Sequence, residues 1–178
     1  MNILDQIGKT PALKLRKVIE NPDVDIYVKC EFLNPGGSIK DRMALRMIEE
    51  AEKAGNLKPG GTILDQSTGN TGPALAFVGA VKGYNVHLFL PTTLGSSYNP
   101  ADRIRIARLF GCKVEAIDLS ASMENMESLT NVEKAAAFVA IRMKQCYDFE
   151  QKDPNIWWAN QLCNMTTPWL IEIQPAKR

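Results

Sequence analysis

The feature that most constrains the fold is a strand–turn–helix rhythm that repeats between residues 62 and 147. Apolar runs at Thr62–Gln66, Val86–Leu90 and Val114–Ile117 are each followed by a segment with apolar residues at helical spacing. Strands that alternate with helices pair in parallel through right-handed crossovers. The rhythm therefore predicts an α/β fold, a parallel sheet with flanking helices, whose ligands bind beyond the carboxyl ends of the strands.

The helices of this rhythm carry their own start and stop signals. Gly83 and Gly111 stand where left-handed C-terminal caps belong, and Thr130 with Glu133 offers a capping box. The helices are therefore predicted at Pro73–Lys82, Ala101–Phe110 and Asn131–Tyr147.

Ahead of the rhythm lies another strand and helix. Asp25–Phe32 alternates, with Ile26, Val28, Cys30 and Phe32 on one side, and predicts a strand that runs straight into a glycine-rich turn. Asp41–Ala54 has apolar residues at helical spacing, and Gly55 follows it as a C-terminal cap.

The turn between them, NPGGSIKDR at residues 34–42, places Lys40 at the start of that helix. Ser38 is predicted to be the N-cap, with Asp41 closing a short capping box. A lysine amine attacks an aldehyde only when it is neutral, and the positive end of a helix dipole lowers a lysine pKa. Lys40 is therefore a candidate nucleophile, although a solvated first-turn lysine remains the alternative.

A second glycine-rich turn, STGNTG at residues 67–72, follows the strand Thr62–Gln66. Pro73 then stands in the first turn of a helix, where proline is favoured. Backbone N–H groups at such a helix start bind an anion such as a carboxylate, and the amide of Asn70 suits a phenolate or carbonyl oxygen. An ordinary loop between strand and helix remains the alternative.

Composition excludes several classes of function. The 178 residues include 21 basic and 20 acidic side chains, so the net charge gives no case for nucleic acid or an anionic membrane as partner. The start MNILDQIGKT is typical of neither a signal peptide nor a transit peptide, so a cytoplasmic location is predicted. The dispersed cysteines and the single His87 predict no metal site and reduced, mostly buried thiols.

Taken together, NPGGSIKDR, STGNTG and the upstream GKTP at residues 8–11 resemble the fold-type II pyridoxal-phosphate enzymes. The resemblance is strongest to the cysteine synthase and cystathionine β-synthase group. The run KCEFLNPGGSIKDRMALRMIEEAEKAGNLKPGGTI, residues 29–63, is especially similar to the cystathionine β-synthase branch. The similarity continues with falling quality to NQLCN at residues 160–164.

The resemblance implies pyridoxal 5′-phosphate as cofactor and roles for the matching residues. Lys40 matches the lysine that binds the cofactor covalently and later moves the α-proton, and Asn70 matches the residue that binds the 3′ oxygen of the cofactor. The loop that binds the substrate α-carboxylate is matched by Ser67, Thr68, Gly69 and Thr71. Such enzymes replace a leaving group on Cβ of serine or O-acetylserine with a thiol, which predicts a transferase or lyase of amino-acid biosynthesis.

The departures from the family pattern lie at three places. Asp65–Thr68 reads DQST where the family usually reads EPTS, which leaves the substrate open, and Leu94–Pro100 differs from the usual helix entry. The glycine- and threonine-rich phosphate cradle and the partner of the pyridine nitrogen, found in the later half of the relatives, are missing from this sequence. Because each lost charge-assisted hydrogen bond is worth about 1.5 to 3 kcal/mol, poor cofactor affinity is predicted.

The resemblance also implies a division into domains and a homodimer. Residues 1–40 would form the arm and strand of a large domain, residues 41–148 a small α/β domain, and residues 149–178 a truncated part of the large domain. The aromatic and apolar side chains of this last segment either pack in a core or form a docking surface; they are Trp157, Trp158, Leu162 and Trp169.

Three functions stay open at this stage. The first is β-replacement of the cysteine synthase or cystathionine β-synthase kind, with small amino-acid and thiol substrates. The second is a catalytically silent homologue that acts as a binding or assembly module, which the missing phosphate cradle favours. The third is an enzyme similar to threonine synthase or serine/threonine dehydratase, because STGNT resembles the threonine synthase form of the loop.

Overall fold

The computed structural model describes residues 2–17, 20–21, 23–91, 101–117 and 128–164. Two short strands near the amino terminus form a sheet of their own, and four later strands form the main sheet. The elements in chain order are β1 (Ala12–Lys14), β2 (Tyr27–Lys29), α1 (Lys40–Lys53), β3 (Thr62–Gln66), α2 (Thr71–Lys82), β4 (Asn85–Pro91), α3 (Ala101–Leu109), β5 (Lys113–Ile117), α4 (Asn131–Glu150) and β6 (Ile156–Trp158).

The main sheet has the strand order β5–β4–β3–β6, and every neighbouring pair in it is parallel. The predicted α/β fold with a parallel sheet is therefore confirmed. The helix signals are confirmed as well: Gly83 and Gly111 have φ values of +81° and +78°, and Thr130 with Glu133 forms the capping box of α4. The division into domains stays a prediction.

Helices cover both faces of this sheet. On one face, the helices α1, α2 and α3 contribute Ile48, Leu75 and Ala107 to a core that also contains Ile63 of β3. On the other face, Cys146 of α4 belongs to a smaller buried apolar cluster with Leu64 of β3 and Phe89 of β4. The sheet is therefore a central layer, and ligands have access to it at the ends of its strands.

The single histidine is a core residue. His87 of β4 is buried, its Nε2 lies 3.1 Å from the Oε2 of Glu115, and its ring contacts Phe149 edge-on at 4.9 Å between centroids. Burial lowers the pKa of His87, so the imidazole is neutral at neutral pH. Cys30, Cys112 and Cys146 are buried free thiols, as predicted, whereas Cys163 is exposed.

The predicted strand Asp25–Phe32 is wrong in extent. β2 covers only Tyr27–Lys29, because its partner β1 is three residues long, and a 3₁₀ turn at Glu31–Leu33 follows before the glycine-rich turn. On its apolar side only Cys30 is buried, and Phe32 is 66% exposed. The other three apolar side chains of this alternating set, Ile26, Val28 and Phe32, are therefore exposed in this structure.

The aromatic residues near the carboxyl end divide between core and surface. Trp157 of β6 belongs to the main core, and Trp158 packs against the cluster around Leu64 on the other face. Leu162 is exposed. Trp169 and the predicted departure at residues 94–100 lie outside the described residues. Within the described parts of the chain, no helix has the length and apolar character that crossing a membrane requires.

Candidate active site at the start of α1 and α2

Lys40 is the first residue of α1, half-buried, directly behind the glycine-rich turn. The predicted capping box is wrong, since the N-cap position falls on Ile39, whose side chain makes no cap hydrogen bond. Ser38 Oγ instead accepts a hydrogen bond from the Lys40 N–H at 3.2 Å, and Asp41 bonds elsewhere. The placement of Lys40 in the first helical turn is confirmed, but the groups that fix it differ from those predicted.

Asp41 turns back into the loop that precedes it. Its Oδ2 accepts a hydrogen bond from the Gly36 N–H at 2.5 Å, and a Cβ on Gly36 would lie 2.5 Å from Asp41 Oδ1. Only glycine therefore permits this contact. Asp41 is fully buried, and that burial raises the pKa of its carboxyl; among the described residues no donor reaches Oδ1.

The turn before α2 is held together by the side chain of Ser67. Its hydroxyl accepts a hydrogen bond from the Gly72 N–H at 2.9 Å and donates one to the Gly69 carbonyl at 3.3 Å. Ser67 is buried. Its hydroxyl is thus engaged within the loop, which makes Ser67 a residue that shapes the turn in this structure.

The remaining backbone donors of the loop point to an anion site. The N–H groups of Thr68, Gly69, Asn70 and Thr71 donate to no acceptor within the described part of the chain. Thr68 and Gly69 are half-buried, and Asn70 is exposed at the N-cap of α2 without a side-chain cap bond. Unpaired N–H groups at a helix start attract carboxylates and phosphates, and the helix dipole adds to the attraction.

The two helix starts lie at the same end of the molecule. At the opposite end, the Glu52 carboxylate of α1 accepts hydrogen bonds from Lys82 Nζ of α2 at 2.8 and 3.1 Å. Glu52 is twelve residues beyond Lys40, and Lys82 is eleven beyond Thr71. The two helices also pack side by side in the same core, and a helix rises about 1.5 Å per residue. Both therefore extend back by similar lengths from this contact, so Lys40 and the loop share one end.

Two other features of this end were missed by the sequence reasoning. Gln161 Nε2 donates to the Gln66 carbonyl at 2.8 Å, next to the loop, and the preceding Asn160 has φ +49°. Arg42 of α1 forms an ion pair with Glu31. The Gln161 contact could have been suspected because NQLCN belongs to the stretch that resembles the family. The ion pair could have been suspected because Glu31 and Arg42 both lie in the KCEFLNPGGSIKDR run.

A model of the pyridoxal-phosphate dependent enzymes matches residues 3–170 of the chain. The chain belongs to this family. Among curated relatives, the cysteine synthase of Staphylococcus aureus is 46% identical over 113 residues, which are 64% of this chain and 35% of that protein. The cystathionine beta-synthase of Mus musculus is 40% identical over 133 residues, 74% of this chain and 23% of that protein.

Solved structures give the same assignment. The crystal structure of O-ureido-L-serine synthase superposes on this chain with a TM-score of 0.74 at 31% sequence identity. The match covers 95% of this chain and 46% of the synthase chain. The chain therefore spans less than half the length of these relatives. Both the resemblance and the fold class predicted from the sequence are confirmed, and pyridoxal phosphate is the cofactor of the family.

Proposed function

We propose that this chain provides the lysine and the substrate-carboxylate loop of a pyridoxal-phosphate-dependent β-replacement site. The observation that carries the proposal is the shared end of α1 and α2, where Lys40 opens one helix and unpaired loop N–H groups open the other. An amino-acid substrate needs such a pair of features, because its carboxylate requires an anion site and its α-carbon requires a base nearby.

The residues at this end fit the reactive part of the cofactor. Lys40 would hold the cofactor through its amine, and the exposed amide of Asn70 would bind the phenolic oxygen of the ring. When bound, the cofactor supplies an electron sink for the charge that develops at the substrate α-carbon. No described residue is assigned here to the phosphate group of the cofactor.

The loop would orient the substrate. The N–H groups of Thr68, Gly69 and Thr71 would bind its α-carboxylate, while Ser67 keeps the turn closed through its own hydrogen bonds. Lys40, once its amine is released, would move the proton at the substrate α-carbon as a general acid and base. We propose serine or an O-acylated serine as the first substrate and a thiol as the second.

Partner and location form part of the same proposal. The first 40 residues carry several apolar side chains that are more than half exposed: Leu13, Tyr27, Phe32 and Leu33. Exposed apolar side chains are a feature of protein–protein contact surfaces, and a second copy of the chain is the partner we propose, in the cytoplasm. The same side chains favour the second candidate function, a catalytically silent assembly module.

Absorption spectroscopy separates these two functions. The chain is incubated with pyridoxal phosphate and desalted, beside Lys40→Ala and the matched control Lys53→Ala, which removes an exposed lysine from the last turn of the same helix. A visible band of the bound cofactor that vanishes only in Lys40→Ala, and that shifts when serine or O-acetylserine is added, supports the enzyme. Equal and colourless spectra of all three proteins favour the assembly module.

A further inference from the structure

Arg42, two residues beyond Lys40 on α1, makes a two-pronged ion pair with Glu31. Its Nε lies 2.8 Å from Glu31 Oε2, and its Nη2 lies 2.8 Å from Oε1. The two side chains are 29% and 18% exposed. Parallel N–H···O bonds of this kind fix direction as well as distance, so the pair holds α1 in one orientation against the 3₁₀ turn at Glu31–Leu33.

The same guanidinium reaches the amino-terminal arm. Arg42 Nη2 donates to the Gly8 carbonyl at 2.7 Å and to Thr10 Oγ1 at 3.3 Å. Gly8 has φ +85°, and a Cβ there would lie 2.5 Å from Arg42 Nη1, so the close approach depends on glycine. One side chain of α1 therefore joins three segments that are distant in sequence.

Glu31 is fully engaged in this network. Besides Arg42, its carboxylate accepts hydrogen bonds from Thr10 Oγ1 at 2.9 Å and Asn34 Nδ2 at 2.8 Å. The hydrogen bonds from Arg42 lower the pKa of Glu31 to about 2. The buried Asn34 in turn accepts from the Gly8 N–H at 2.8 Å. The carboxylate is therefore ionised at neutral pH and has donors on several sides.

The network clamps both ends of the turn that contains Lys40. Asn34 begins that turn and Arg42 ends it, and both are hydrogen-bonded to the Glu31 carboxylate. Between them, the Gly36–Asp41 and Ser38–Lys40 hydrogen bonds hold the backbone. The position of the Lys40 backbone is thus set by a carboxylate that does not touch Lys40.

We propose that Glu31 and Arg42 are positioning residues for Lys40, whose ion pair holds the Lys40 amine where it reacts with an aldehyde cofactor. The inference rests on the proposed function, and it adds residues that lie outside the lysine and the carboxylate loop. Removing the pair slows attachment of the cofactor to Lys40 by more than the loss of folded protein accounts for.

The test compares two partly buried carboxylates, each of which forms an ion pair with a basic side chain. Glu31→Gln removes the clamp, and Glu52→Gln removes a carboxylate at the far end of α1 that binds Lys82 and the Tyr84 hydroxyl at 2.7 Å. Each protein is mixed with limiting pyridoxal phosphate, quenched with borohydride at set times and digested. Mass spectrometry then gives the rate of attachment at Lys40, and urea unfolding gives the folded fraction.

The internal reference is Lys113, a lysine on β5 whose side chain is 68% exposed. At equal folded fraction, Glu31→Gln lowers the Lys40 rate relative to the Lys113 rate by about tenfold or more, because small displacements of a reacting group are costly. Glu52→Gln changes the ratio by less than about twofold, since its ion pair is remote from Lys40. Arg42→Lys keeps the positive charge but cannot form both parallel hydrogen bonds to Glu31, so it lowers the ratio as well. This variant tests the inference if Glu31→Gln does not fold.

The outcomes separate this inference from the proposed function. A wild type that reacts no faster at Lys40 than at Lys113 overturns the proposed function and this inference with it. A wild type that reacts selectively at Lys40, together with Glu31→Gln or Arg42→Lys variants that react equally fast, overturns this inference alone. In that case the ion pair only stabilises the fold.

Discussion

Asp65, at the carboxyl end of β3, is a buried acid whose titration should govern the pH dependence of stability. Its side chain is fully buried, its Oδ1 accepts the Gln66 N–H at 2.8 Å, and the Gln161 backbone and the Trp158 side chain offset the cost of burial only in part. Burial raises the pKa of Asp65 from 3.8 to about 7. Below that pH the folded protein keeps a proton that the unfolded chain releases above about pH 4.

The sign and size of the effect follow by linkage. Because the folded pKa is raised, the contribution of this group to stability is present below about pH 4, falls as the pH rises towards 7, and is constant above. A difference of roughly three pKa units at 1.36 kcal/mol each gives about 4 kcal/mol. Asp65→Asn keeps an oxygen for the Gln66 N–H but cannot ionise, so the wild type should lose about 4 kcal/mol relative to this variant between about pH 4 and pH 8.

Urea unfolding, followed by circular dichroism at a series of pH values, measures this difference. Asp148→Asn is the control, because Asp148 forms an exposed ion pair with Lys144 on α4 and such pairs contribute little to stability. Parallel pH profiles of the wild type and Asp65→Asn would contradict a raised pKa of the Asp65 carboxyl in the folded protein. Such a result would mean that the Asp65 carboxyl is solvated or paired in the folded protein.

Three further substitutions test individual contacts by the free energy of unfolding. Ser67→Ala leaves the buried Gly72 N–H unpaired and should cost about 1–3 kcal/mol; an unchanged midpoint in urea would contradict the closed loop. Gly79→Ala brings a Cβ to 2.5 Å from Val86 Cγ2, so overpacking of about 1–3 kcal/mol should exceed the helix-propensity gain of about 1 kcal/mol. Thr130→Ala removes the capping box of α4 and should cost about 1 kcal/mol; no change would show that the cap is replaced by water.

The sequence predicts those parts of the fold that rest on local signals. Gly83 and Gly111 mark helix ends because a left-handed cap suits glycine, and the apolar runs of β3 and β4 reveal buried parallel strands. Lys40 was placed in the first turn of α1 for the same local reason, the glycine-rich turn before it.

Hydrogen bonds across the turns and pairings between distant segments could not be predicted in this way. The side chain of Asp41 was expected to cap its own helix, but the tight turn brings the Gly36 N–H within reach and the carboxylate bonds there. The hydroxyl of Ser67 accepts a hydrogen bond from the Gly72 N–H, a contact across the loop that the motif does not predict. The short strand β6 joins β3 ninety residues after it in sequence, a pairing that no local pattern encodes.

The role of Lys40 is tested most directly by locating the cofactor on the polypeptide. The wild-type chain is equilibrated with pyridoxal phosphate, reduced with borohydride and mapped by peptide mass spectrometry. We expect the label on Lys40, at the shared end of α1 and α2. Label distributed over exposed lysines such as Lys113, with none enriched at Lys40, would contradict this expectation.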